Sequence, residues 1–206
     1  MMNSFPVNVK TLRVSEGPNQ KVFYPQVEGM KNPQFERFIN QTIIQETQEL
    51  INQQIANMPT TVAEMIGLYE MKNNQRQVLS LTISNYTYHY QAAHGMTYIK
   101  GLTFDLEKKE ACKLSDLFKP GSNYIERISI LVDRQIKERD VMVIEDFETI
   151  QADQDFYLAD KTLVIFFQLY QLAPYAFGFP FFPISVYDIQ DILNEDGPLG
   201  RLAENN

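Results

Sequence analysis

Tryptophan is absent from the 206 residues, cysteine occurs once and histidine twice. The single Cys112 rules out an intrachain disulfide and gives no sign of an oxidising compartment. His89 and His94, without a cysteine pair or a His-Glu-x-x-His helix, fall short of the ligand set zinc requires. No apolar run reaches the roughly 18 residues of a membrane-spanning helix. The opening Met1-Met2-Asn3-Ser4-Phe5-Pro6 has no charged region followed by an apolar one, as a signal peptide would. As written, the chain is expected in the cytoplasm. Phosphate-cradling glycine loops and a Gly-x-Ser-x-Gly elbow are also missing. Basic side chains are scarce: 18 Lys and Arg face 26 Asp and Glu, a net charge of −8. Such a surface repels a phosphate backbone, which argues against nucleic acid and for neutral or cationic partners. From Asp140 to Asp160 the acids run without any Lys or Arg.

Aromatic residues are abundant, with 14 Phe and 11 Tyr, and these side chains favour strands. Residues 7–14 alternate as a strand and Lys21–Pro25 reads as a second. Asn32-Pro33 marks a helix start, Asn as N-cap and Pro at the first position. Phe35, Ile39, Ile43, Thr47, Ile51 and Ile55 follow every four residues, with Phe38 and Leu50 alongside, and predict one apolar face of a long helix ended by Pro59. Residues 78–90 and 96–106 alternate around a short connection and predict an antiparallel hairpin. Leu79, Leu81 and Ile83 fall on one face, and Tyr86, Tyr88 and Tyr90 on the other. A second amphipathic helix follows Gly121-Ser122, and a second hairpin spans 156–168. Ser185 and Asp188 then form the capping box of a final helix.

Helices interspersed with hairpins predict an α+β fold. The expectation is a mostly antiparallel sheet with helices packed on one side, in two abutting lobes. Those lobes are expected at 1–74 and 75–194, divided near the polar stretch 72–77, with 195–206 as a frayed tail.

Five segments carry a family resemblance in order: Tyr88 to Gly95 leading into Leu102 to Leu106, Leu114 to Gly121, Asp155 to Leu158, Ala173 to Gly178, and Pro183-Ile184. Together with Tyr24 to Val27 and the helix at Asn32, they resemble a bacterial family of paired domains. Such domains form the extracellular part of RsiV-type anti-sigma factors and the N-terminal module of PdaC-type peptidoglycan deacetylases. The resemblance implies an α+β scaffold and, from the anti-sigma members, recognition of lysozyme, a basic protein. It implies no shared chemistry, because catalysis in the deacetylases belongs to a separate domain. It also implies an extracytoplasmic setting as the alternative to the cytoplasm.

His94 sits beside Gly95 in the hairpin loop, where its ring can hold the turn or meet a partner. By strand parity His89 is expected in the core. Asp153, Asp155 and Asp160 lack the glycine and oxygen ligands of an EF-hand loop, so no metal site is assigned. No nucleophile or acid–base pair stands out, so no catalytic residue or cofactor is assigned and the protein is read as a non-enzyme. Tyr170 to Pro183 holds six aromatics and three prolines, a composition that suits recognition and equally suits a loop burying its own Phe side chains. The expected partner surface combines His94 with Tyr175, Phe177 and Phe179, steered by Asp153 and Asp155. The expected function is a binding or sensing module for an envelope protein or cell-wall glycan, a basic, lysozyme-like protein among them. A coat-type structural protein, or a peptidoglycan-acting enzyme using carboxylates, is the alternative.

Overall fold

A computed structural model describes residues 5–14 and 19–204. Strands β1 (Asn8–Val14) and β2 (Gln20–Glu28) pair antiparallel. Helix α1 (Pro33–Ala56) follows, capped as expected: the Asn32 side-chain oxygen accepts from the Phe35 amide at 2.9 Å. β3 (Val62–Gln75), β4 (Val78–His89), β5 (Met96–Asp105) and β6 (Glu110–Ala111) then complete a six-stranded sheet in sequential order. Every neighbouring pair is antiparallel except β2–β3, whose connection contains α1. Helix α2 (Tyr124–Glu138) precedes a three-stranded antiparallel sheet of β7 (Phe156–Ala159), β8 (Thr162–Phe166) and β9 (Phe181–Ser185). A short helix, α3 (Pro198–Ala203), comes last. The fold is α+β and mostly antiparallel.

Strand β4 belongs to two cores. Leu79, Leu81 and Ile83 pack with Phe35, Ile39 and Ile43 of α1. Val78, on the opposite face, packs with Ile128 and Val132 of α2 and Leu163 and Ile165 of β8. Where the two sheets meet, the buried Ser80 hydroxyl accepts from the Leu158 amide at 2.9 Å and pairs with Thr103 Oγ1 at 2.8 Å. Gly101 makes the approach possible, since a Cβ there would lie 1.9 Å from the Phe156 carbonyl oxygen.

Four expectations change. The α1 stripe holds from Phe35 to Thr47 and at Leu50, but Gln54 is buried where Ile55 was expected, and Phe38 and Ile55 are 42% and 51% exposed. Each four-residue step overshoots a helical turn by about 40°, so five steps carry the stripe about 200° round. The boundary at 74/75 falls at the tip of the β3–β4 hairpin, turned by Arg76 and Gln77 at φ 51° and 56°. The first core therefore draws on both sides of that boundary. The final helix at Ser185 is a single 3₁₀ turn, Val186–Asp188, in which the Ser185 side chain accepts from the Tyr187 amide. The expected tail carries α3, whose Leu199 and Leu202 are buried in the second core; residues 205–206 lie outside the described residues.

His89 is a core histidine, 2% exposed, with Nδ1 2.8 Å from the Thr60 carbonyl and Nε2 2.8 Å from that of Gln54. The Gln54 carbonyl lies in the last turn of α1 and also accepts from the Asn57 amide at 3.3 Å, so the ring ties β4 to the helix terminus.

Arg201 fastens α3 to the first sheet. Its guanidinium, 15% exposed, donates at 2.7 Å to Asp105 Oδ1, whose side chain is 1% exposed and also accepts from the Glu107 and Lys108 amides. Removing one partner of a buried ion pair leaves the other charge uncompensated. Arg201→Ala should cost about 3 kcal/mol of folding stability in urea unfolding monitored by circular dichroism. A loss within about 0.5 kcal/mol, as for an ordinary surface change, would show that α3 does not anchor the fold.

Candidate functional site

The β4–β5 connection and the segment after β8 meet at one end of the molecule. The His94 ring stacks on Tyr175 with centroids 4.1 Å apart, and the Tyr175 hydroxyl donates to the Gly95 carbonyl at 2.9 Å. Tyr170 joins them, its ring 5.7 Å from Tyr175 and its hydroxyl 3.2 Å from His94 Nε2. His94 Nδ1 lies 2.9 Å from the Gly95 carbonyl oxygen, which is the turn-holding role expected of it. Gly95 lets the Tyr86 ring lie close over the turn, since a Cβ would come within 2.2 Å of it and push the ring aside. Pro174 and Gly178, the latter at φ 81°, bracket the single 3₁₀ turn that presents Tyr175.

Tyr175 is half-buried, so it is neither a free anchor nor a core residue. Phe177 is 40% exposed, and Phe179 is half-buried with its ring 6.3 Å from Phe181. The expected loop ends sooner than drawn, since Phe181 to Pro183 belong to β9 and Phe182 is fully buried. Beside the cluster, none of the described elements covers the outer face of the large sheet. Ile66 and Leu68 are exposed there, with Tyr86 directly opposite Ile66 and Tyr88 opposite Glu64. Tyrosine and aliphatic side chains thus form one surface running from β3 to Tyr170.

Asp153 and Asp155 do not rim that surface. They line a separate cleft of about 450 Å³ between α1, β5 and residues 152–156, and none of His94, Tyr175, Phe177 or Phe179 contributes to it. Asp153 is exposed, whereas Asp155 Oδ2 accepts from Gln168 Nε2 at 2.8 Å and Oδ1 lies 4.0 Å from Lys100 Nζ. Burial holds the Asp155 carboxyl above its ordinary value, against the pull of the Gln168 hydrogen bond and Lys100. Burial likewise raises Glu46, which faces the same cleft from α1, with Lys100 opposing and Glu49 and Asp155 adding repulsion. Cys112 is also in the lining, and burial together with Asp105 pushes its thiol up to about 12, a poor nucleophile.

Nothing in the local sequence marks Glu46 or Gln168 as site residues. Lys100 did leave a signal: it interrupts the apolar face of Met96, Tyr98, Leu102 and Phe104 on β5. Among the described residues no cluster of three His, Cys, Asp or Glu could hold a metal ion. Among them, too, no helix is long and apolar enough to cross a membrane.

Two family models share the chain. Residues 17–97 match the family described as deacetylase PdaC, and residues 115–187 match the protein of unknown function family DUF3298. The resemblance to the paired domains holds. Anti-sigma-V factor RsiV of Bacillus subtilis is 27% identical over 181 residues, 82% of this chain. The peptidoglycan-N-acetylmuramic acid deacetylase PdaC of the same organism is 22% identical over 134 residues, 62% of this chain. The chain spans 63% of the anti-sigma factor's length and 28% of the deacetylase's. A DUF3298-family crystal structure from Bacteroides fragilis superposes with a TM-score of 0.72 at 14% identity, covering 98% of this chain and 100% of that one. One from Pseudomonas aeruginosa gives 0.69 at 12%, covering 99% of each. At these identities the structures show a common fold.

A carboxyl held above its ordinary 3.8 in the folded state binds its proton more tightly there than in the unfolded chain. The group therefore favours folding at low pH, and that contribution is lost as pH rises through the raised folded value. Asp155→Asn keeps an oxygen for the Gln168 amide and removes the charge. Its melting temperature should exceed the parent's near neutral pH, with the difference closing as pH falls toward about 4. A variant less stable than the parent near neutral pH would mean that the Lys100 pairing outweighs burial.

Proposed function

We propose that these paired domains form a binding module whose recognition surface is the His94–Tyr175–Tyr170 cluster with the tyrosine face of β4 beside it. The partner is a protein or glycan of the cell envelope, and a basic protein suits it best. The observation that carries this reading is the 4.1 Å stack of His94 on Tyr175, an aromatic cluster left outside both cores. Rigid aromatic rings offer a large contact area at little entropic cost, and here backbone hydrogen bonds and Pro174 fix them in advance. The net charge of −8 suits a cationic partner, and the relation to an anti-sigma factor favours sensing over catalysis. The cleft carboxylates support the same side. An acid–base pair works when its environments push the two pKa values apart, whereas burial raises both Glu46 and Asp155.

Lysozyme, a basic protein, and insoluble peptidoglycan are the probes. Lysozyme should bind the full chain in surface plasmon resonance, more weakly as salt rises. Tyr175→Ala should cost about 2 kcal/mol, mostly as faster dissociation. Binding indifferent to salt would remove the electrostatic part of the proposal. Binding unchanged by Tyr175→Ala and Tyr170→Ala together would remove the surface itself.

A further inference from the structure

The cleft on the other side of the β5 edge carries charged groups with hydrogen-bonding capacity to spare. Lys100 Nζ has Asp155 Oδ1 at 4.0 Å, too far for a hydrogen bond, so both atoms keep their capacity. Among the described residues the Glu46 side chain makes neither a hydrogen bond nor an ion pair. All three groups line one cavity of about 450 Å³, and Lys100 and Asp155 also line an adjoining one of about 200 Å³. The floor is apolar: Leu102, Phe104 and Leu114 are buried there. Partly desolvated charges with unspent hydrogen bonds, converging on a cavity with an apolar floor, are the features of a small-ligand site.

Charge selects the ligand. The lining carries three carboxylates, Glu46, Asp153 and Asp155, against two ammoniums, Lys100 and Lys113, a single negative charge in excess. A plain anion adds to that excess, and a neutral sugar leaves Lys100 and Glu46 unpaired. A ligand ammonium satisfies Glu46 and Asp155 Oδ1, and a carboxylate on the same molecule then takes Lys100. We propose that this cleft is a second binding site, separate from the aromatic surface, for a small zwitterion carrying a primary ammonium and a carboxylate. The size is that of a dipeptide or an acidic amino sugar. The site does not rest on the aromatic-surface reading, and either can fail alone.

The test is calorimetric titration of the full chain with four probes. Muramic acid and alanyl-alanine are zwitterions, glucosamine carries the ammonium alone and N-acetylmuramic acid the carboxylate alone. At least one zwitterion should bind within the millimolar range, and each single-charge probe should bind about tenfold more weakly or worse. Glu46→Gln and Lys100→Met should each weaken the zwitterion about tenfold, while Tyr175→Ala leaves it unchanged. Thermal melts establish that the variants fold; Lys100, with its side chain 45% exposed, decides the matter if Glu46→Gln does not. The proposal is overturned if neither zwitterion binds up to about 10 mM, if a single-charge probe binds as tightly, or if both cleft variants bind as the parent does.

Discussion

The architecture depends on strand β4 being covered from both sides. A sheet exposed on one face can alternate apolar and polar residues, but a strand between two cores must satisfy both. From Val78 to Ile83 every residue is buried. The odd positions are aliphatic toward α1, and the even ones are small or hydroxylated toward the second sheet. Ser80 shows why: its hydroxyl supplies the acceptor that the Leu158 amide would otherwise lack inside the junction. The second sheet covers only this half of β4. Beyond Ser84 the even positions turn to tyrosine, and the uncovered face becomes the surface on which Tyr170, Tyr175 and His94 gather.

Amide side chains complete what the strands leave open. Asn40 on α1 accepts from the Val27 amide and donates to the Val27 carbonyl, both at 2.8 Å. Asn74 does the same to Val7 at 3.3 and 2.9 Å, and Gln168 to Ile99 at 3.1 and 2.7 Å. Each amide imitates a neighbouring strand for one residue and so satisfies backbone groups at a ladder's margin. The wealth of Asn and Gln is therefore partly structural. Gln168 has a further duty, since the same Nε2 reaches Asp155.

Local chemistry was legible in the sequence where it acts locally. The Asn32 cap, the alternation of β4 and β5 and the paired strands β7 and β8 follow from residues a few positions apart. What escaped depends on distant partners. β9 contains two prolines' worth of loop signal in its neighbourhood, yet it pairs with β8 because Phe182 and Ile184 fill the second core. α3 has only six residues and forms against that core, fastened by Arg201 to an aspartate near the middle of the chain. Composition pointed to His94 and Tyr175, and the fold joins them. It could not place Asp155 in the cleft, because that needs α1, β5 and the 152–156 segment together.

One segment touches both sites. Gln168 holds β5 and Asp155 at the cleft, while Tyr170 and Tyr175 meet His94 at the aromatic cluster. Between them Leu169, Leu172 and Ala173 are buried, so the backbone is anchored along its length. A shared rigid segment is not a switch, because coupling requires two states that a ligand favours differently. A ligand that bonded Asp155 without displacing Gln168 would leave the tyrosines where they are. One that took the Gln168 hydrogen bond from Asp155 would still leave the two bonds between that amide and Ile99, so the segment stays fixed on β5.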